Sequence, residues 1–310
     1  MSEAPVTRYD FYTAGIFTDR IFGGNPLAVF PDARGLDDQQ MQQIAREFNL
    51  SETTFVLPSD DPGHTCRVRI FTPAAEVPFA GHPTLGTAFV LAVTGRVALT
   101  GGMTDLVLEE GVGPVPVKVM TQAGAPTFVQ LSAAQMPQVG PAPPPAASLA
   151  QALSLQPEDI LTGELAPEAV SCGLPFLFVP VRDRAAVGRA EPELAAWRRV
   201  LGDYWAAGVF VFAMEPERGD ADLRARMFAP TLGVWEDPAT GSAAAALAGY
   251  LGRRHPLRDG TLSWVVEQGV EMGRPSILHV QADKRAGAIV AVRVGGACVL
   301  VSQGTFLGLT

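Results

Sequence analysis

The stretches RIFTPAAEVPFAGHPTLGT, Arg69 to Thr87, and RMFAPTLGVWEDPATGSAA, Arg226 to Ala244, are two versions of one pattern. Aligned without a gap, they match at Arg69/Arg226, Phe71/Phe228, Pro73/Pro230 and Val77/Val234, and each then runs into a segment without charge. A fainter echo lies upstream, where GNPLAVFP from Gly24 matches GLPFLFVP from Gly173 at its Gly and both Pro positions. Repetition of this kind predicts two similar halves, each delivering a turn and a buried helix to one shared place. The chemistry is expected between them.

Working outward, a chain of 310 residues that is 47% hydrophobic is ample for a packed core, and the repeat divides it in two. The net charge of −9 argues against nucleic acid, whose binding rests on clustered Lys and Arg that displace counterions. The start, MSEAPVTRYDFYT, has neither the positive region nor the apolar core of a leader. No apolar run approaches the roughly 18 residues that a membrane helix needs. A cytoplasmic protein without membrane contact is the expectation. The isolated Cys66, Cys172 and Cys298, each in an apolar strand-like run, read as core cysteines. The histidines, His64, His82, His255 and His279, show no metal-ligand spacing, so no metal is expected.

In chain order, residues 6–30 predict two strands around the turn-forming Gly23-Gly24-Asn25-Pro26, where Asn25 or a glycine N–H could face a ligand. Asp37 to Phe48 is an amphipathic helix through Met41, Ile44, Ala45 and Phe48, with Asp37 and Gln40 as its capping box, stopping near Asn49. Glu52 stands between that helix and the strand Thr53 to Leu57, well placed to project beyond a sheet edge. Cys66, Val68 and Ile70 alternate with Arg67 and Arg69 as a half-buried strand does. Pro83 to Gly95 and Thr240 to Gly252 are apolar around the whole 3.6 period and predict two enclosed helices. Strands are expected at about 106–109, 115–120 and 127–132. Val139 to Ser148, VGPAPPPAAS, reads as the linker between halves. Beyond it come a capped helix at Ser148 to Leu153, an amphipathic helix at Glu193 to Leu201, and strands near 174–181, 208–213, 223–228, 262–267, 277–282, 288–294 and 297–302.

Asp237 takes the slot of Ala80 in the gapless alignment and, followed by Pro238, reads as an N-cap with proline at the first helical position. Ser242 follows within a turn, and His82 stands near the start of the first helix. Two helix N-termini, with N–H groups at Gly81 and Gly241, would present positive dipole ends that hold a carboxylate or phosphate without Lys or Arg. A small organic anion is the expected guest. Glu52, His82 and Asp237 are the candidate acid–base groups. A carboxyl among Phe55, Phe79 and Trp235 would be desolvated and poised to take and return a proton. GxSxG, GxGxxG and GxxxxGK[ST] are absent, which removes the sequence case for a serine hydrolase, a dinucleotide fold or a P-loop. No cofactor is expected.

DRIFGGNPLAVF, NLSETTFVL, FTPAAEVPFAGHPTLGTA, EDPATGSAAAALAGYL and EQGVEMGRPS, in this order, resemble the phenazine-biosynthesis PhzF family along nearly the whole chain. The resemblance implies an α+β, diaminopimelate-epimerase-like fold, each half a sheet rolled around a central helix, with the active site in the cleft between. The halves are then 1–138 and 139–296, with the last strand, about 297–310, crossing back to the first. Carried over residue by residue, the family's catalytic glutamate, histidine, aspartate and serine fall on Glu52, His82, Asp237 and Ser242. Related racemases use two thiols at the helix starts, where this chain has Ala80 and Asp237, so two-thiol chemistry is not expected. The resemblance further implies a homodimer, and isomerisation of trans-2,3-dihydro-3-hydroxyanthranilate or a similar small carboxylate by proton transfer through the glutamate. Two other readings stay open: an amino- or hydroxy-acid epimerase using Glu52 and Asp237, or a catalytically silent ligand-binding protein.

Overall fold

A computed structural model of the chain describes residues 8–307. Residues 6 and 7 of the expected opening strand, 308–310 of the expected closing one and most of the start read for a leader lie outside them. In chain order the elements are β1 (Arg8–Ile16), β2 (Asn25–Phe30), α1 (Asp38–Phe48), β3 (Glu52–Leu57), β4 (Cys66–Phe71), β5 (Glu76–Val77), α2 (Gly81–Val93), β6 (Met103–Glu110), β7 (Gly113–Gln122) and β8 (Ala125–Ser132). Then follow β9 (Gln138–Val139), α3 (Ala146–Ala152), β10 (Glu168–Ser171), β11 (Pro175–Pro180), α4 (Arg184–Arg189), α5 (Leu194–Leu201), β12 (Gly208–Ala213), β13 (Leu223–Ala229), β14 (Val234–Asp237), α6 (Gly241–Arg254), β15 (Gly260–Gln268), β16 (Ser276–Arg285), β17 (Ala288–Gly296) and β18 (Cys298–Leu307). The described residues form two compact units, one of 8–131 with 296–307 and one of 132–295.

The same pairing scheme builds each unit. In the first, β1–β2 is antiparallel, β2–β3 parallel, β3–β4 and β4–β5 antiparallel, β4–β6 parallel, and β6–β7 and β7–β8 antiparallel. In the second, β10–β11 is antiparallel, β11–β12 parallel, β12–β13 and β13–β14 antiparallel, β13–β15 parallel, and β15–β16 and β16–β17 antiparallel. An added strand lies antiparallel on the outer side of each set, β18 on β1 and β9 on β10. The echo seen upstream in sequence is β2 and β11, the strands that open the parallel pair in each unit.

Each sheet wraps a helix that cannot face water. Within α2, the residues from Gly81 to Ala92 are all buried, and the helix touches β1, β2, β3, β7 and β18. Alanines give α6 a thin body, buried from Ala243 to Gly252 against β10, β11, β15 and β16. A helix apolar on every side is stable only where neighbours remove all of that surface from water. Close approach has its own requirements: a Cβ at Gly86 would fall 2.5 Å from Ile16 and Leu27, so glycine lets α2 lie against β1 and β2. The other face of β2, β3 and β4 is covered by α1, where Phe30, Phe55 and Phe71 join Met41, Ile44 and Ala45. Covered on both faces, β2 reads from Pro26 to Phe30 as a continuous apolar run.

The repeated arginines do the same work in both units. Arg69 lies 5.1 Å over the Phe71 ring and holds Glu76 in a two-pronged ion pair at 2.8 and 2.7 Å. Arg226 lies 4.7 Å over Phe228 and holds Glu236 at 2.8 and 2.8 Å. The partners are 7 residues apart in the first unit and 10 in the second. The gapless alignment is therefore corrected: the second copy carries three more residues, taken up by the 3-10 turn Pro230–Leu232 and by Gly233 at φ 81°. Beyond that turn, Val77 corresponds to Asp237, Ala80 to Thr240, Gly81 to Gly241 and His82 to Ser242.

Local expectations fare unevenly. Asp37 and Gln40 form both bonds of the capping box, and Asn49 ends α1 at φ 49°. The proline-rich stretch lies inside the second unit, and α3 begins within it at Ala146, with Pro145 and not Ser148 at the cap position. Tyr204 donates to the Pro141 carbonyl at 2.9 Å, and Gly140 packs beneath Trp205, so tertiary contacts fix a segment that composition alone leaves loose. Cys66 is buried, Cys172 and Cys298 are half-buried, and all three are free thiols.

Gly24, at φ 68°, tests the turn before β2, because a Cβ there would overlap the Ile16 carbonyl oxygen and the Thr18 side chain. Gly24→Ala is expected to cost at least about 2 kcal/mol through backbone strain and displacement of a fixed carbonyl. Denaturant unfolding measures this, and a midpoint equal to wild type would contradict the turn.

Candidate active site

At the mouth of the first unit, Glu52 opens β3 and His82 is the second residue of α2. Strand alternation puts Glu52 on the same face as Thr54, whose hydroxyl meets that of Thr87 on α2 at 2.8 Å in the interior. That bond fixes β3 against α2. One turn nearer the helix start, His82 Nε2 stands 3.1 Å from Glu52 Oε2, with the side chains 8% and 18% exposed. The distance is that of an ion pair, but the two groups are out of line for a hydrogen bond, and both atoms are buried without a hydrogen-bond partner. Buried polar atoms are normally satisfied, and an orphan costs about 1–3 kcal/mol. Two orphans facing one another are a place prepared for a third group.

The expected aromatic surround is corrected. Phe55 points from the opposite face of β3 into the cluster under α1, and Trp235 is 47% exposed. Of the three expected aromatics, Phe79 is half-buried just before the start of α2, and Glu52 itself shares its face of β3 with Thr54 and meets His82. Asn25, the first residue of β2, is fully buried and lies two residues before Leu27, which pairs with Glu52.

In the second unit Asp237 ends β14 and does not cap α6, so the expected cap is corrected as well. The cap residue lies three positions later, at Thr240, and the helix starts at Gly241. Asp237 Oδ2 accepts from the Thr240 hydroxyl at 2.6 Å. Gln268, fully buried at the end of β15, completes the arrangement. Its amide donates to the Asp237 carbonyl at 2.8 Å and to the Thr240 hydroxyl at 3.1 Å, and its carbonyl accepts from the Thr240 N–H at 3.1 Å. No role for Gln268 was legible beforehand; the only signal was its place in EQGVEMGRPS. Gly269 is required beside it, since its φ is 75° and a Cβ would lie 2.5 Å from the Pro238 carbonyl oxygen.

Both central helices begin without a side-chain cap or an acidic residue in the first turn. The peripheral helices α1, α4 and α5 are capped by Asp37, Asp183 and Glu193. At α2 the N–H groups of Gly81 and His82 precede Pro83, which has none. At α6 those of Gly241, Ser242 and Ala243 precede the first intrahelical bond, Ala244 N–H to the Thr240 carbonyl at 2.9 Å. Such uncapped starts attract anions. A surface hollow of about 400 Å³ beside Arg67 and Arg69 is a poorer anion site, since Glu76, Asp38 and Asp60 already take up those guanidinium groups.

Residues 14–304 match the family described as phenazine biosynthesis-like protein, PhzC-PhzF. An uncharacterized isomerase of Mesorhizobium japonicum is 40% identical over 292 residues, 93% of this chain and 95% of that protein. The trans-2,3-dihydro-3-hydroxyanthranilate isomerase of Pseudomonas chlororaphis is 38% identical over 287 residues, 92% of this chain and 94% of that one. Among solved structures, a PhzF-family phenazine biosynthesis protein of Bacillus anthracis superposes with a TM-score of 0.86 at 25% identity, covering 98% of this chain and 100% of that one. A probable proline racemase of Agrobacterium radiobacter, at TM-score 0.64 and 14% identity over 96% of this chain and 92% of that one, shares the fold alone. The chain has the diaminopimelate-epimerase-like fold and is an isomerase. It belongs to the PhzF family.

Gln268→Leu keeps the volume but leaves the Thr240 N–H and the Asp237 carbonyl without their buried partner. The expected cost is about 1–3 kcal/mol for each group that stays unsatisfied. Thermal unfolding with unchanged circular dichroism at low temperature checks it; an unshifted midpoint would mean that Gln268 carries no such load.

Proposed function

We propose that this isomerase moves a proton between carbons of a small carboxylate substrate similar to trans-2,3-dihydro-3-hydroxyanthranilate, with Glu52 as the acid–base group. The observation that supports this most directly is the pair of buried, unpartnered atoms, Glu52 Oε2 and His82 Nε2, 3.1 Å apart beside an uncapped helix start. A carboxylate that no hydrogen bond has consumed can accept a proton from carbon, and a positioned acid–base group contributes about a hundred- to ten-thousandfold in rate.

In this reading Glu52 takes the proton from an activated C–H bond. The electrons of that bond shift the double bond along the substrate, and the resulting Glu52 acid returns the proton to a second carbon. One C–H bond breaks and one forms, so the protein ends as it began. The His82 imidazole orients the substrate, and the N–H groups of Gly81 and His82 hold its carboxylate. Asp237, Gly241 and Ser242 are assigned to substrate binding at the helix start of the second unit, with Ser242 at the helix position that His82 occupies in the first. Asn25 is assigned to substrate binding through its place at the start of β2.

Turnover of trans-2,3-dihydro-3-hydroxyanthranilate and of related unsaturated carboxylates in D2O, followed by NMR, tests the proposal. Wild type is expected to shift the double bond, and Glu52→Gln to fold normally with activity about a hundred- to ten-thousandfold lower. Full activity in Glu52→Gln would remove Glu52 from the mechanism. Deuterium uptake with inversion at one carbon and no double-bond shift would replace isomerisation by epimerisation.

A further inference from the structure

A second buried carboxyl has no place in that chemistry. Glu110 ends β6 and points inward with Thr104, Leu106 and Leu108, beneath the first turn of α2, only 7% exposed. Its Oε1 lies 2.6 Å from the Thr84 hydroxyl, and that same hydroxyl lies 2.8 Å from the Ala80 carbonyl. A hydroxyl carries one hydrogen, and a carbonyl can only accept. Once Thr84 donates to Ala80, the short contact to Glu110 becomes a hydrogen bond only if the carboxyl carries a proton and donates it to Thr84. The other carboxyl oxygen, Oε2, is buried without a hydrogen-bond partner, an unfavourable site for a full negative charge.

The nearest cations, Arg67 and Arg69, border the same surface hollow as Glu110 but are held by Asp60, Asp38 and Glu76. On α2 the sole titratable residue is His82. On β4 the neighbour is Cys66, whose thiol is pushed up to about 12 by burial and by the negative charge of Glu110 and Glu109. On β7 the paired residue is Gly113. Glu109, on the opposite face of β6, is occupied by His64 and by the Asp60 and Asp61 N–H groups. Burial accordingly pushes the Glu110 carboxyl up to about 8, and the Thr84 hydroxyl works against it when it turns from Ala80 to donate to the carboxylate.

We propose that Glu110 is a positioning residue for His82: as a neutral acid it leaves the Thr84 hydroxyl on the Ala80 carbonyl and ties β6 to the first turn of α2, and its ionisation in alkaline solution draws that hydroxyl away from Ala80 and loosens the turn. The assignment of His82 as the group positioned rests on the function proposed above, whereas the tie itself does not. Because the folded-state carboxyl titrates above the ordinary 4.5, the native state keeps a proton that the unfolded chain releases. Stability from this group is full below about pH 4.5 and falls as pH rises towards about 8, by up to tenfold in the unfolding equilibrium per pH unit. Glu110→Gln, whose amide donates to Thr84 at every pH, has no such slope.

Urea unfolding of wild type and Glu110→Gln between about pH 5 and pH 9 reads the effect without any substrate. The wild-type unfolding constant is expected to rise relative to the variant by at least about tenfold across that range. A ratio independent of pH would overturn the neutral-acid tie. Amide hydrogen exchange at residues 81–84, corrected for intrinsic rate, is expected to accelerate in wild type above about pH 8 and not in Glu110→Gln; equal exchange in both would overturn the release of the helix start. If Glu110→Gln does not fold, difference infrared spectra of wild type decide: a protonated-carboxyl band present near pH 6 and lost by about pH 9 supports the proposal, and its absence sinks it. In the double-bond-shift assay, an alkaline fall in rate that is weakened in Glu110→Gln supports the positioning of His82, and an identical fall in both overturns it. A wild type that turns over no carboxylate would refute the function of the preceding section and leave the unfolding and exchange results to judge the tie.

Discussion

A helix whose body carries no Asp, Glu, Lys or Arg on any face, as α2 does and as α6 does before Arg253, must be enclosed, and this constraint shapes both units. For α2 and α6 the enclosing surface is a sheet whose strands supply apolar side chains inward. Enclosure removes every side of the helix from water and leaves only its ends. Because the first N–H groups of a helix have no internal partner, the start of an enclosed helix is a polar spot set in apolar walls. The peripheral helices α1, α4 and α5 close that spot with Asp or Glu caps, whereas α2, α6 and the short α3, which starts behind Pro145, have no side-chain cap.

The strand leading to each central helix is held by an arginine that stacks on a phenylalanine and pairs with a glutamate on the next short strand. Arg226 is the more enclosed of the two and also donates to the carbonyls of Val187, Gly188 and Ala190. A buried pair of this sort returns little net stability against the hydrophobic residues that could replace it, but its geometry admits few alternatives. It fixes the turn, and the turn fixes where the helix begins. Conservation of this device across a three-residue insertion identifies the equivalent positions in the two units.

The two helix starts differ in how their polar groups are satisfied. At α6, Asp237, Thr240 and Gln268 form a closed network in which each hydrogen-bonding group used has a protein partner. At α2, Glu52 and His82 face one another with an oxygen and a nitrogen left over. Local rules are broken most often where function demands it, and the broken rule here is satisfaction of buried polar atoms. Glu110 and Thr84 lie behind the same turn, where one hydroxyl stands within hydrogen-bonding distance of both the Glu110 carboxyl and the Ala80 carbonyl.

The sequence by itself determined the duplication, the two enclosed helices and the capped α1, because periodicity, charge absence and cap chemistry are local properties of the chain. It could not locate the three-residue slip: Asp-Pro is a good helix start in isolation, and only the Arg226–Glu236 pair shows that Asp237 ends a strand instead. It misjudged the proline-rich stretch for the same reason, since Tyr204 and Trp205, far along the chain, hold it in place. The surroundings of Glu52 depended on which face of β3 meets α2, a choice made by the Thr54–Thr87 bond. Gln268 and Glu110 acquire their roles from partners 28 and 26 residues away. Tertiary structure alone decides such pairings, because hydrogen bonds and burial depend on proximity in space that no local pattern encodes.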